Sequence, residues 1–280
     1  MKIQAVVFDW AGTIVDFGSL APMGAFVKLF ASHKIHITIA QARIPMGLPK
    51  LAHIEALGAM PEIAMQWRLI KGRSFSKTDA NNLLVEFEPM SAQAAMDRSE
   101  FIPGFLSTYA WLREQRIGVA TTTGYTRKIM VPLIARAQEN GFDPARVICC
   151  DDVARSRPDP MGMYACLESL NVQEPRTVLK VDDTAPGLQE GLNAGCWAVG
   201  VSASGNALGW SWDKWNSASD DERNRGLAIA DRSLIKAGAH EVIRSVADLP
   251  KALERINSRI AAGEEPIARR QQNTTSSPVT

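Results

Sequence analysis

The chain has 280 residues, 46% of them apolar and 22% charged, with a formal net charge of +1. That length holds one large domain or two ordinary ones. A charge so close to neutral argues against a polyanion-binding surface and so against a nucleic-acid partner. No apolar run is long enough to span a bilayer, so no membrane partner is expected either.

The first element is an apolar run, Ile3 to Phe8, broken only by Gln4. It suits a central strand buried on both faces. Asp9 ends that strand, and the chain then turns at Gly12, where the missing Cβ lets the backbone fold closely round a ligand. A carboxylate delivered by a strand onto a glycine loop can be a metal ligand, a nucleophile, or both. The commoner fate of such an Asp is to cap the next turn. The chain reaches Asp9 before a signal-peptide core could form. Its four cysteines (Cys149, Cys150, Cys166, Cys196) lack C-x-x-C spacing and read as small buried residues of a reducing compartment. A cytoplasmic protein is the expectation.

From about Pro22 to Met96 the apolar spacing is near 3.6, which predicts helices. After Phe101-Ile102-Pro103-Gly104 the character changes: β-rich runs at Ile117–Thr123, Val147–Cys150, Val178–Asp182 and Trp197–Val201 alternate with helices. Such alternation means parallel βαβ units. The expected fold is α/β: a doubly wound parallel-sheet (Rossmann-like) core, residues 1–18 and 98–262, with a helical cap domain, residues 19–97, inserted after the first strand. The cap's natural place is over the C-terminal strand ends, where ligands bind in such sheets. Trp210, Trp212 and Trp215 interleave a polar stretch from Gly205 to Asp221, best read as an excursion packed on the core. A last helix spans roughly Leu249 to Ala262, and the tail, 263–280, is expected to be disordered.

The strand ends carry the chemistry. Thr123 and Gly124 close the second strand just before a helix, where a hydroxyl, a backbone N–H and a helix N-terminus form an anion site. Arg157, before Pro158, offers a fixed cation beside a nucleophilic carboxylate; Arg155 reads as a solvated loop residue. Asp182 and Asp183 end the fourth strand, opposite Asp9, as hard oxygen donors suited to Mg²⁺. In the cap, Lys50 follows Pro49 at a helix start, and His53 lies on the same helix face. Taken alone, a lysine is usually a solvated charge and a histidine a satisfied hydrogen-bonder.

The pattern Asp9-x-x-Gly12-Thr13 after a strand resembles the first motif of the haloacid dehalogenase-like superfamily of phosphotransferases. In that superfamily the first Asp attacks phosphorus, and a second Asp two residues on usually protonates the leaving oxygen. Here the second position is Ala11, which cannot donate a proton. The ordered set Phe-Asp-Trp-Ala-Gly-Thr, Pro-Met-Gly-x-x-Lys-x-x-His, Thr-Thr-Gly-Tyr-Thr-Arg, Arg-Pro and Asp-Thr resembles the phosphonoacetaldehyde hydrolase (phosphonatase) family from Ile3 to about Ile256. Ala11 together with the Lys50–His53 pair is the specific part.

That resemblance implies cleavage of the carbon–phosphorus bond of phosphonoacetaldehyde to acetaldehyde and phosphate, with one Mg²⁺ per subunit and a homodimer. It implies Asp9 as nucleophile and Mg²⁺ ligand, Ala11 as a ligand through its carbonyl, and Asp183 as the other protein ligand. Lys50 would form a Schiff base, Thr123, Gly124 and Arg157 would hold phosphate, and His53 would shuttle protons or orient water. Met46 and Tyr125 would shape the aldehyde pocket. The rivals are a phosphate-ester hydrolase or phosphomutase, disfavoured by Ala11; a dehalogenase, disfavoured by Asp183 and Arg157; and a non-catalytic scaffold.

Overall fold

The computed structural model describes residues 1–266. The first apolar run becomes β1 (Ala5–Phe8), whose four residues have no exposed surface. It is buried because β2 (Gly118–Thr122) and β4 (Val178–Asp182) flank it in parallel. With β3 (Val147–Ile148), β5 (Trp197–Val201) and β6 (Glu241–Ile243), the sheet is six-stranded and parallel throughout, in the order β3-β2-β1-β4-β5-β6. The expected doubly wound α/β core is what the chain forms. In this order the chain reverses direction across the sheet between β1 and β4, and ligands bind at such a switch, outside the carboxyl ends of the strands.

Side chains alternate across a strand, and β1 shows it. Val6 and Phe8 join a cluster with Phe105, Leu112, Ile129, Leu133 and Ile256, whereas Ala5 and Val7 meet Met163, Cys166 and Leu167. Helices α6 (Phe105–Glu114), α7 (Arg127–Glu139) and α12 (Leu249–Ala261) supply the first layer; α8 (Met161–Ser169) supplies the second. Helix α9 (Ala185–Asn193) packs on β4 and β5.

Five helices lie between β1 and α6: α1 (Ala21–Ser32), α2 (Ile39–Arg43), α3 (Lys50–Ala59), α4 (Pro61–Lys71) and α5 (Lys77–Met96). Their shared interior is aromatic, with Phe26 stacked on Phe87 at 4.2 Å and on the His53 ring at 3.9 Å between centroids. Two polar clasps hold these helices to the sheet domain. Glu88 of α5 accepts from Thr126 Oγ1 at 2.9 Å and pairs with Lys128 at 3.0 Å. Arg43, ending α2, donates to the Gly18 carbonyl at 3.1 Å, to Asn206 Oδ1 at 2.9 Å and to the Gly209 carbonyl at 3.2 Å.

The tryptophan-bearing excursion packs on the link between β1 and α1. Phe17 meets Trp212 edge-on at 5.1 Å and Trp215 at 6.2 Å, so packing of this stretch holds. Helices α10 (Trp212–Ser217) and α11 (Asp220–Lys236) follow. The sequence reading did not anticipate α11, whose only fully buried residues are Leu227, Ala230 and Leu234. Its signal was present in the capping box of Ser219 and Glu222. Of the expected disordered tail, residues 267–280 lie outside the described residues. Residues 263–266 are described, and Glu264 pairs with Arg259 at 2.9 Å while Glu265 pairs with Arg176. Among the described residues no helix is long and apolar enough to cross a membrane.

Candidate active site

Asp9 is the first residue beyond β1, and its N–H donates to the Val181 carbonyl of β4 at 2.9 Å. That bond fixes its carboxylate at the switch between the two strands. Asp182 ends β4 and Asp183 follows it. Asp9, Asp182 and Asp183 each offer one oxygen within 4.8 Å of the others, and all three are buried. The pair Asp182 and Asp183 divides its work. Asp182 Oδ1 accepts from the Thr184 N–H and hydroxyl, and Oδ2 faces Lys180 Nζ at 3.3 Å and Arg157 Nη1 at 3.4 Å. Asp183 Oδ2 accepts from the Asn206 N–H at 2.7 Å, but its Oδ1 is buried with no partner. Burial, then Asp9 and Asp182, push the Asp183 carboxyl well above the usual range. Burial, then Asp182, push Asp9 up to about 6 against the pull of Arg157 and Lys180. A crowded carboxylate set with an unspent oxygen fits a hard divalent cation such as Mg²⁺. Ala11 lines a small cavity together with Asp9; the loop's bonds run from Gly12 N–H to Val15 O and from Val15 N–H to Trp10 O, leaving the Ala11 carbonyl outside them.

The anion side of the cavity belongs to the second and third strands. Thr123 N–H donates to the Ile148 carbonyl, and Thr123 Oγ1 accepts from the Tyr125 N–H at 3.2 Å. Its hydroxyl hydrogen stays available to a ligand oxygen. Gly124 carries no side chain where the cap presses down: a Cβ there would lie 2.9 Å from the Leu48 carbonyl oxygen. A Cβ on Gly47, whose φ is +90°, would lie 2.4 Å from Thr184 Oγ1. The two glycines let the cap loop rest directly on the strand-end loops. Arg155 is a surface residue paired with Asp159 at 2.6 Å, as read. Arg157 is 3% exposed, and its Nη1 lies 2.8 Å from Asp9 Oδ1.

From above comes the cap lysine. Lys50 is the first residue of α3 and is 4% exposed. Its Nζ lies 4.7 Å from the Tyr125 ring centroid and 5.9 Å from that of Phe26. Burial brings its ammonium down to about 8, although Cys150 and Asp9 pull the other way. His53 is also fully buried, with Nε2 2.9 Å from the Ala42 carbonyl. A carbonyl only accepts, so Nε2 carries the hydrogen, and Nδ1 has no partner. Burial, then Lys50, hold this imidazole well below its ordinary pKa, so it is neutral.

One cavity of about 20 Å³ is lined by eight of the predicted residues: Asp9, Ala11, Met46, Lys50, Thr123, Gly124, Tyr125 and Arg157. Asp183 stands beside it, lining an adjoining cleft of about 400 Å³ that shares Met46 and Thr184. His53 does not line the cavity; it sits one layer back, against Phe26 and the Ala42 carbonyl. A space of this size holds about one water. Sequence reasoning missed Ser19 of the cavity wall and Cys150, whose thiol burial pushes up to about 11 beside Lys50. It also missed Lys180, Glu190 and Thr122, whose hydroxyl bonds to Glu190, Arg157 and Lys180.

A family model described as haloacid dehalogenase-like hydrolase matches residues 3–195. A phosphonoacetaldehyde hydrolase of Paraburkholderia xenovorans is 43% identical over 264 residues, covering 94% of this chain and 99% of that protein. One of Salmonella agona is 42% identical over 267 residues, covering 95% and 99%. A crystal structure described as a phosphonoacetaldehyde hydrolase-like protein of Oleispira antarctica superposes with a TM-score of 0.94 at 41% identity, covering 95% of this chain and 96% of that one. A β-phosphoglucomutase of Clostridium difficile shares the fold, with a TM-score of 0.67 at 18% identity.

Proposed function

We propose that this chain, which belongs to the haloacid dehalogenase-like hydrolases and within them to the phosphonoacetaldehyde hydrolase family, hydrolyses phosphonoacetaldehyde to acetaldehyde and inorganic phosphate. The observation that carries the reading is a buried cap lysine with a lowered pKa in the same small cavity as a strand-end carboxylate. A carbon–phosphorus bond has no bridging oxygen to protonate, so an acid at position 11 has nothing to act on. An amine that condenses with the neighbouring aldehyde supplies what the bond needs, an electron sink.

In the proposed sequence neutral Lys50 adds to the aldehyde and loses water to give a protonated imine. The Asp9 carboxylate attacks phosphorus, and the electron pair of the carbon–phosphorus bond passes into the imine, leaving an enamine on Lys50. The enamine takes up a proton and is hydrolysed to acetaldehyde and free lysine. Water then cleaves the aspartyl phosphate and regenerates Asp9. Thr123 and the Gly124 N–H hold phosphate oxygens, and Arg157 steadies Asp9 against an approaching dianion. Met46 and Tyr125 enclose the aldehyde. We assign Mg²⁺ to Asp9, Asp183 and the Ala11 carbonyl, where a bound cation offsets the repulsion between carboxylate and dianion. His53, neutral and behind the cavity wall, supports α3 and keeps the environment of Lys50 poor in solvent; a shuttle role would need its Nδ1 to reach the cavity.

Four cysteines without disulfides support a reducing, cytoplasmic setting. Met65, Leu69 and Ile70, exposed on α4, are the apolar surface that would serve a homodimer through the cap. The direct test is turnover: purified protein with phosphonoacetaldehyde and Mg²⁺ should release acetaldehyde and inorganic phosphate in equal amounts. Phosphate release from simple phosphate monoesters instead, with none from the phosphonate, would reject the reading.

A further inference from the structure

Behind the cavity floor lie two buried charged residues, Lys180 and Glu190, to which the proposed reaction gives no role. Lys180 is unexposed and Glu190 is 2% exposed, and a buried charge is costly unless paired and hydrogen-bonded. Their partners form one connected set, which also takes in Asp182 Oδ2, 3.3 Å from Lys180 Nζ and 3.4 Å from Arg157 Nη1. Glu190 Oε2 accepts from Thr122 Oγ1 at 2.7 Å and from Arg157 Nε at 3.0 Å, and lies 3.3 Å from Lys180 Nζ. Lys180 Nζ donates to Thr122 Oγ1 at 2.6 Å. Arg157 Nη2 donates to the carbonyl and hydroxyl of Thr122 at 2.7 and 2.8 Å.

The neighbouring helices leave room for these groups. A Cβ on Gly162 of α8 would lie 2.5 Å from Glu190 Oε1. On Gly191 of α9 it would lie 2.4 Å from Lys180 Cβ, and on Gly187 of α9 1.9 Å from Asp182 Oδ2. A glycine inside a helix is destabilising relative to alanine. Gly162 and Gly187 each sit against a buried carboxylate, and Gly191 sits against the Lys180 Cβ.

The consequence falls on Arg157. A guanidinium presents five N–H groups in one rigid plane. Glu190 holds Nε and Thr122 holds Nη2, so the plane is set and Nη1 points to Asp9 Oδ1 at 2.8 Å. A lysine offers one nitrogen and has no such fork. We infer that Glu190 is a positioning residue: with Lys180 and Thr122 it locks the plane of Arg157 and so aims Nη1 at the attacking carboxylate. This rests on the reading of Asp9 as nucleophile given above.

The test is a double-mutant cycle of Glu190→Gln, Arg157→Lys and the two combined. Action through Arg157 predicts that Glu190→Gln lowers kcat about 30- to 100-fold with KM within about threefold, and adds less than about threefold in the Arg157→Lys background. A purely structural role would give losses that multiply in the double variant, and that result overturns the inference. Should Glu190→Gln fail to fold, the pair Lys180→Met and Glu190→Gln removes one charge of each sign and takes its place in the cycle. If the wild type does not turn over phosphonoacetaldehyde, the proposed function alone fails. The same cycle is then read on the dissociation constant of inorganic phosphate, measured calorimetrically with Mg²⁺. Non-multiplying losses there support the lock, and multiplying ones reject it.

Discussion

Lys50 Nζ of the cap stands 4.7 Å from the ring centroid of Tyr125, which follows the second strand of the core. The ammonium thus meets an aromatic face across the seam between cap and core, with no salt-bridge partner within 4.0 Å among the described residues. On the proposed mechanism this lysine serves through its nitrogen and not through its charge. Lys50→Arg keeps the charge but stays protonated and cannot form an imine. We expect it to lose at least about 10³-fold in kcat. Borohydride added with phosphonoacetaldehyde should inactivate the wild type and leave a reduced adduct on Lys50. Mass spectrometry of that peptide checks it; an unmodified peptide from turning-over enzyme would sink the imine.

The lowered lysine also fixes a pH dependence. Burial lowers the Lys50 ammonium to about 8, against an ordinary 10.5. Below 8 it is protonated in both states, and the folded state bears the cost of the buried charge. Between 8 and 10.5 the unfolded chain holds more protons, so stability rises with pH across that window. The lowered value corresponds to a cost of about 3 kcal/mol at pH 7. Lys50→Met should therefore abolish turnover yet raise the melting temperature at pH 7 by a few degrees, and that gain should shrink towards pH 10. The rate of imine formation should climb as pH passes 8. A destabilised Lys50→Met at pH 7 would mean that the lysine's charge is well paired in the folded protein.

The contrast between legible and hidden residues has a physical basis. Asp9, Thr123, Arg157 and Asp183 were legible because each follows a β-rich run, and the ends of parallel strands converge on one edge. Lys50 was legible only through its company, Pro49 before it and His53 three residues on. Lys180 and Glu190 were hidden because each looks ordinary locally: a lysine inside an apolar strand and a glutamate on a helix. Their burial arises from pairing across β4, α9 and the loop of Arg157, contacts that no local spacing encodes. Helix α11 was hidden for the opposite reason, since its thin apolar stripe leaves mostly solvated residues.

The carboxylate cluster predicts how the fold responds to metal. Asp183 Oδ1 is buried without a partner, and its carboxyl is pushed well above its usual range. Asp183→Asn removes that burden along with the ligand charge. The variant should melt no lower than the wild type after chelation, and it should lose the stabilisation that Mg²⁺ gives the wild type. That stabilisation is about 2.7 kcal/mol at a metal concentration of 100 times Kd. Thermal melts with and without Mg²⁺ decide it. Equal Mg²⁺ stabilisation of both proteins would remove Asp183 from the site, and full turnover by exhaustively chelated wild type would remove the metal from the reaction.

Ala11 gives the sharpest test of substrate class. Its side chain borders a cavity of about 20 Å³ already walled by Asp9, Arg157 and Lys50. An aspartate there would restore the proton donor that ester hydrolysis uses, but it would bring a further carboxylate to a site that already holds Asp9, Asp182 and Asp183. Two effects follow, both adverse to carbon–phosphorus cleavage. The added charge repels the phosphonate dianion, and it pairs with Lys50, raising that pKa and depleting the neutral amine. Ala11→Asp should lower kcat/KM for phosphonoacetaldehyde at least about tenfold, and it should move the alkaline rise of the rate to higher pH. Wild-type activity on simple phosphate monoesters should be negligible. Initial rates on both substrate classes from pH 6 to 10 check these points. Faster carbon–phosphorus cleavage by Ala11→Asp would show that an acid at this position serves the reaction, and the case built on Lys50 as the sole electron sink would fall.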